Sequence, residues 1–207
     1  MTFLLFAALF SVAVWSSMSA TVPALNALKI FKVIGQLKTL KRTGWVQNDI
    51  SLPESVADHM YRMSMLSFFI TDPSINRDKL MKICLCHDLA EAIVGDITPY
   101  DGVSKEEKKK LEEDALRMIV GNIGHAEIAD EILSLWLEYE NGTSKEAEIA
   151  KNLDKFEMII QADEYEQTQG ARLDRFFEST KDSFTHPEVL EWNKALRNDR
   201  DTRLGNL

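Results

Sequence analysis

Between Cys84 and Pro99 the chain reads CLCHDLAEAIVGDITP, and this stretch constrains the fold more than any other. Its first half has the apolar spacing of a buried helix, yet His87, Asp88 and Glu91 interrupt it, and Asp96 follows directly after Gly95. On a continuous helix at about 100° per residue, His87, Glu91 and Asp88 fall on one arc. The same arc carries Leu80, Cys84 and Val94, which are core residue types. A carboxylate buried without a partner costs several kcal/mol or takes up a proton. Asp96 meets a second cost, because the C-terminal end of a helix disfavours negative charge. No Lys or Arg lies between Lys82 and Lys105. The compensating cation must therefore come from elsewhere in the fold or from solution.

The rest of the sequence fits an all-α chain, with no convincing strand alternation, internal repeat or low-complexity tract. Apolar spacing predicts helices over residues 24–40, 54–70, 77–94 and 126–139, one starting at Ser104, and one running from 143 past 163. A last, short helix is expected in FTHPEVLEWNKAL. The first helix would turn Leu25, Leu28, Phe31 and Ile34 or Val33 inward; the fourth would turn in Leu111, Ala115 and Met118. SKEE at Ser104 and the pair Thr143 and Glu146 have the pattern of capping boxes. Gly95 ends the third helix, and KRTGWVQNDISLP is a loop marked by Gly44 and Pro53. The expected architecture is a bundle of about seven helices.

Of the 207 residues, 18–207 are expected to form one domain, preceded by an apolar segment over residues 1–17. The apolar run from Phe3 to Trp15 is shorter than the roughly 20 residues a membrane span needs, so no stable span is expected. SSMSA offers small residues for signal cleavage, but a positively charged leader is missing, and Met18 opens an ordinary cytoplasmic start. A cytoplasmic protein with an apolar extension and a secreted protein with a signal peptide both stand. Cys84 and Cys86 are two apart on a helix, so they point away from each other and do not pair. That fits a reducing compartment. A net charge of −9 argues against a nucleic-acid surface, though not against a small anionic ligand.

Two further polar residues sit on apolar faces. His59 has Val56, Met63 and Leu66 at helical spacing, which suits a core histidine or a ligand equally in kind. Asp154 has Ala147, Ala150 and Met158 on its face, where it would be a buried cap, an ion-pair partner or a ligand. Together with His87, Asp88 and Glu91 they give imidazoles and carboxylates on three helices, all facing inward. This donor set suits a divalent first-row ion, which acidifies water and polarises a phosphoryl oxygen. The two cysteines have the wrong spacing to compete with it.

His59, the HD pair at 87–88 and Asp154 resemble, in order and type, the H…HD…D signature of the HD-domain metal-dependent phosphohydrolases. The longer strings HDLAEAIVGDITP, PESVADHMYRM and RTGW resemble the HD-domain-containing protein 2 family of 5'-deoxynucleotidases, as do NLDKFEMIIQADEYE and FTHPE. The likeness spans roughly residues 25–190. It implies that His59, His87, Asp88 and Asp154 bind a divalent ion, with Mn, Co or Mg foremost and Zn or Fe as alternatives. It further implies Glu91 as the catalytic acid/base and Asp96 as a second essential acid. A second ion would lie at Glu91, Asp96 and the backbone of Ile97. Arg42 matches a phosphate-contacting arginine and Trp45 a tryptophan that shapes the sugar pocket. In a more distant bacterial HD-domain 5'-nucleotidase the Arg and Trp are adjacent, whereas here Thr43 and Gly44 intervene. A homodimer also follows from the resemblance alone.

The expected function is hydrolysis of deoxyribonucleoside 5'-monophosphates to deoxynucleoside and phosphate. The alternatives are another HD-type hydrolase, acting on a cyclic nucleotide, an alarmone or a nucleoside triphosphate, and a catalytically silent metal-binding scaffold. Arg62, three residues after His59, is read as a salt-bridge residue in preference to a phosphate contact. His125 and His186 are read as loop or helix-start residues, and KEEKKKLEED as a solvated helix face.

Overall fold

The computed structural model describes residues 21–205; the apolar segment 1–17 lies outside the described residues. Among the described residues there is no β-strand, and one isolated bridge joins Lys41 to Ser55. The helices are α1 (Ala24–Gln36), α2 (Thr43–Val46), α3 (Val56–Leu66), α4 (Arg77–Cys86), α5 (Glu91–Val94), α6 (Lys105–Gly121), α7 (Ala126–Asn141), α8 (Lys145–Gln169), α9 (Asp174–Ser179) and α10 (Pro187–Leu204). The expected helices are all present. One of them is broken in two, and the short α2 and α9 are additions.

Two apolar clusters make up the interior. One gathers Met63, Leu80, Ile83, Leu153, Phe156 and Ile159 from α3, α4 and α8. The other gathers Ile30, Val56, Met60, Leu116, Ile119 and Trp136 around α1, α3 and α6. α8 runs through the first cluster, and its small residues Ala147 and Ala150, both fully buried, let neighbouring helices approach closely. His59 lies between Val56 and Met63, and the HD pair between Cys84 and Leu89, so both sit at the seam where the clusters meet. α3 starts at a capping box in which Ser55 accepts from the Asp58 backbone and Asp58 accepts from the Ser55 backbone.

The break after Cys86 revises the geometry read from the sequence. His87 closes α4 with an i→i−4 bond to Ile83 O (3.0 Å). The next bonds tighten to i→i−3: Leu89 to Cys86 O, Glu91 to Asp88 O and Ala92 to Leu89 O. In such a tightened turn residues i and i+3 eclipse, so Asp88 and Glu91 share one edge, more closely than a continuous helix would place them.

Two helix faces are also rotated from expectation. Leu25, Leu28, Phe31 and Ile34 are exposed on α1, which packs through Ile30 and its following residue Leu37 instead. Leu111 and Met118 are exposed on α6, whose inner face is Glu112, Ala115, Leu116, Ile119 and Val120. Both helices are apolar over a wide arc, so periodicity alone leaves the choice of face to the neighbours, α5 and α7. The cap of α8 is Ser144, one residue later than expected, accepting from the Ala147 backbone. α10 is longer than its weak apolar stripe suggests. Ion pairs hold it on α8, Arg200 reaching Glu166 at 2.7 Å and Arg203 reaching Asp163.

Candidate metal centre and pocket

α3, the end of α4 and the middle of α8 bring four donor atoms together. Nε2 of His59 lies 3.2 Å from Oδ1 of Asp154 and 3.8 Å from Oδ2 of Asp88. Nε2 of His87 lies 3.1 Å from the same Asp88 oxygen. Both Nε2 atoms are buried and, among the described residues, lack a hydrogen-bond partner. Their other ring nitrogens are committed. His87 Nδ1 donates to the Cys84 carbonyl at 2.9 Å, and His59 Nδ1 meets Glu157 Oε2 at 2.5 Å. With Nδ1 carrying the proton, each imidazole aims a lone pair at two carboxylates. Acceptors crowded in this way call for a positive charge, a proton on an imidazole or a metal ion. The mixed imidazole and carboxylate set, with its ring nitrogens fixed from behind, fits a divalent metal.

The partners behind the donors include residues that sequence reasoning missed. Glu157 is fully buried and is itself gripped by Arg62 Nε at 2.8 Å. Arg62 also binds both oxygens of Glu164 at 2.8 Å and the Gln161 side chain. Its salt-bridge role is therefore internal, serving the partner of His59. Tyr139 donates to Asp154 Oδ2 at 2.9 Å, and its ring packs 4.9 Å from that of His87. A signal for Glu157 existed in NLDKFEMII: it is a carboxylate three residues after Asp154 on a helix face that is otherwise apolar. Tyr139 carried none.

The electrostatics follow from this crowding. Burial and Arg42 oppose a proton on His59, but Glu157 and Asp154 outweigh them and push its pKa up to about 10. A metal ion at Nε2 answers the same negative charge. Burial alone would raise Asp88 and Asp154, yet the imidazoles and Arg42 hold both carboxyls below their usual range. Glu91 goes the other way. Burial, Asp88 and Asp96 raise its pKa well above the usual range, with Arg42 and Lys108 opposing. Its Oε2 is buried and, among the described residues, unpartnered, which suits a protonated carboxyl beside the donor set.

Arg42 reaches Asp88 Oδ2 at 3.4 Å from the start of α2. Asp96 holds that start in place: its carboxylate accepts the Thr43 N–H at 2.6 Å, and its carbonyl accepts the Thr43 hydroxyl at 2.7 Å. Gly95, at φ +80°, makes the turn that brings Asp96 there; a side chain would meet nothing nearby, so the need for glycine is conformational. Thr43, one of the two residues inserted between Arg42 and Trp45, thus ties α2 to the loop after α5. Gly44, the other, lies against the Phe176 ring. Trp45 is 1% exposed, donates Nε1 to Glu54 at 2.8 Å and packs on Phe176 at 4.6 Å. The Ile97 carbonyl accepts the Lys108 ammonium at 2.8 Å, so an ion ligated by Glu91, Asp96 and Ile97 would have to displace it.

These groups line a pocket of about 570 Å³. His87, Asp88, Glu91 and Asp154 form its floor; Tyr100, Lys105, Lys109 and Arg175 are among its other lining residues. His125 and His186 lie outside it.

An HD-domain family model matches residues 34–190. The chain is 52% identical over 177 residues to the zebrafish (Danio rerio) 5'-deoxynucleotidase HDDC2, covering 84% of this chain and 88% of that one. It is 42% identical over 183 residues to the human (Homo sapiens) HDDC2, covering 87% and 89%. Among solved structures, the HD domain-containing protein YGK1, a Saccharomyces cerevisiae protein, superposes with a TM-score of 0.67 at 31% identity, covering 86% of this chain and 87% of that one. A conserved protein from Pyrococcus furiosus superposes with a TM-score of 0.70 at 29% identity, covering 83% and 99%. With the family model spanning most of the chain and relatives above 40% identity along it, the chain belongs to the HD-domain family and, within it, to the HDDC2 group.

Proposed function

We propose that this protein is a metal-dependent 5'-deoxynucleotidase, which hydrolyses deoxyribonucleoside 5'-monophosphates to deoxynucleoside and phosphate. The observation that carries this reading is a buried Glu91, its Oε2 unpartnered among the described residues, which lines a pocket of about 570 Å³ with His87, Asp88, Asp154 and Arg42, beside the cluster of His59, His87 and Asp154. The activity of the HDDC2 relatives supports it. His59, His87, Asp88 and Asp154 would hold a divalent ion, Mn, Co or Mg before Zn or Fe, which when bound polarises the phosphoryl group and acidifies water.

The chain's own residues supply the rest. Arg42 bears a charge that burial opposes and the surrounding carboxylates stabilise; it pairs with the phosphoryl oxygens and neutralises charge as it develops. As water adds to phosphorus and the P–O5' bond breaks, Glu91, which burial biases toward its protonated form, gives a proton to the departing 5'-oxygen and regains one from the added water. Asp96 acts through Thr43, fixing the turn that carries Arg42. Trp45, pinned by Glu54 and Phe176, is a rigid wall for the sugar. A second ion at Glu91, Asp96 and Ile97 is the variant of this reading in which Lys108 moves aside.

Phosphate release from dAMP, dGMP, dCMP, dUMP and dTMP, set against the ribonucleotides and with Mn, Co or Mg added, tests the reading. No release from any monophosphate by folded, metal-loaded protein rejects it. Lys105, Lys109, Lys155 and Arg175 also line the pocket and favour a second reading, a longer phosphate chain; deoxynucleoside triphosphates belong in the same assay. The outward apolar residues Leu25, Leu28 and Phe31 of α1 support a homodimer, tested by light scattering. Unpaired Cys84 and Cys86 support a reducing, cytoplasmic setting. Among the described residues no helix is long and apolar enough to cross a membrane. An intact mass of the natively expressed protein tests whether residues 1–17 are retained.

A further inference from the structure

We propose that Lys108 is a second cationic contact for the substrate's phosphate, facing it from α6 while Arg42 faces it from α2, and that Glu112 is its positioning residue. The inference rests on the phosphomonoester reading of the pocket. It concerns a run, KEEKKKLEED, whose pattern suggests only a solvated helix face.

The lysines of that run do not share one environment. Lys105 and Lys110 are exposed, whereas Lys108 and Lys109 are half-buried; Lys105, Lys108 and Lys109 all line the pocket, but Lys109 is turned to the Asn141 side chain at 2.7 Å. Its ammonium donates to the Ile97 carbonyl at 2.8 Å and lies 3.5 Å from Glu112 Oε1. A solvated i,i+4 pair would explain the second contact but not the first, which crosses to the loop after α5. It would not explain Glu112 either: this carboxylate is 7% exposed and faces the same pocket. Burial raises its pKa to about 7 against the pull of Lys108. A carboxylate in that position makes sense as the anchor of a cation that must stay in the pocket wall.

An ammonium has three N–H donors, and these two contacts leave one for a ligand. Arg42, at the start of α2, and Lys108, on α6, line one pocket with Glu91. Lys108 is held there on the loop that follows Glu91, through the Ile97 carbonyl. A phosphate bound in this pocket can therefore meet a cation from each of the two elements. The need for both is electrostatic. Asp88, Glu91, Asp96, Glu112, Glu140 and Asp154 all line this pocket, and Asp88 already draws the Arg42 guanidinium at 3.4 Å, so a dianionic phosphate is favoured by a further cation held close to these carboxylates. A compact point charge such as lysine binds phosphate without the planar fit an arginine requires.

The test uses the metal-loaded full chain and reads three quantities: inorganic phosphate affinity by calorimetry, kcat and KM for a deoxynucleoside monophosphate, and metal content. Lys108→Met should weaken phosphate binding and lower kcat/KM by about tenfold to a hundredfold, the range for a lost hydrogen bond to a charged group. Metal content should not change, and Lys108→Arg should recover most of the loss. Glu112→Gln should raise KM about threefold with kcat unaltered, and Glu112→Asp should reverse this. Phosphate affinity in Lys108→Met within about twofold of wild type overturns the proposal, as does a loss of metal in that variant. If Lys108→Met does not fold, Lys108→Gln is read by the same criteria. Failure of the wild-type protein to hydrolyse any monophosphate would reject the enzyme reading, while phosphate calorimetry would still decide the role of Lys108.

Discussion

Three of the donors, His59, His87 and Asp154, are held from behind, whereas Tyr100, elsewhere in the pocket lining, is held loosely. His59 leans on Glu157, Glu157 on Arg62, His87 on the Cys84 carbonyl and Asp154 on Tyr139. These supports come from α3, α4, α7 and α8, and α8 has more buried residues than any other described helix. Elsewhere in the lining, Tyr100 is 71% exposed and meets Arg175 through a cation–π contact, with 5.3 Å between guanidinium and ring. The difference matches two tasks. A site that gathers like charges must be fixed before its cation arrives, or the charges move apart. A surface that admits and releases a ligand must give, and exposed side chains on a loop and short helix cost little to move.

Substitutions on the floor should therefore be severe and those in the exposed lining mild, and the comparison breaks if the order is reversed. The largest effect is expected for His87→Ala or Asp154→Ala. Each should lose the metal and several kcal/mol of transition-state stabilisation, about a hundredfold or more in rate, read by metal analysis and phosphate release. Chelation of the wild type should do the same and be reversed by adding the ion back. Glu91→Gln should cost about 10²- to 10⁴-fold in kcat while keeping the metal, which separates proton transfer from ligation. A fully active Glu91→Gln protein would remove Glu91 from the mechanism.

Glu157→Gln tests the support behind the floor. It should weaken metal affinity by about 10- to 100-fold, with activity returning at saturating metal; unchanged affinity would make Glu157 a packing residue only. In the exposed lining, Tyr100→Ala should raise KM only about two- to fivefold, the scale of one exposed cation–π contact. Smallest for activity is Ser55→Ala, which removes the cap of α3 and should cost about 1 kcal/mol of stability with metal affinity retained. Burial works against the Asp58 charge, but the Ser55 N–H and hydroxyl hold its carboxyl below the usual range. The cap should therefore contribute above about pH 3.9 and be lost as pH falls through the lower native value. Thermal unfolding of both proteins across that range checks the sign.

His59, His87, Asp88 and Asp154 drew attention in the sequence because each is a polar residue on an otherwise apolar face. Glu157 met the same criterion and was missed beside Asp154. Lys108 met no criterion at all, since a run of lysines has no apolar period from which to read the one that turns inward. The face of α1 was misread for a related reason: Leu25, Leu28 and Phe31 are as apolar as Ile30 and Leu37, yet only the latter pair is buried. The turn at residues 87–90 was read as continuous helix because CLCHDLAEAIV contains neither Gly nor Pro to announce a break.

By itself, then, the sequence determined the helical class, the Ser104 cap, the helix end at Gly95 and the chemistry of the donor set. These depend on local spacing and residue type, which the chain carries wherever its helices are placed. The tertiary structure alone decided which faces of α1 and α6 are buried, where α4 tightens so that Asp88 and Glu91 align, and which groups stand behind the donors and line the pocket with them. Those choices depend on the packing of elements far apart in the chain. A hydrogen bond from Tyr139 to Asp154, or from Lys108 to the carbonyl of Ile97, exists only once two helices or a helix and a loop have met.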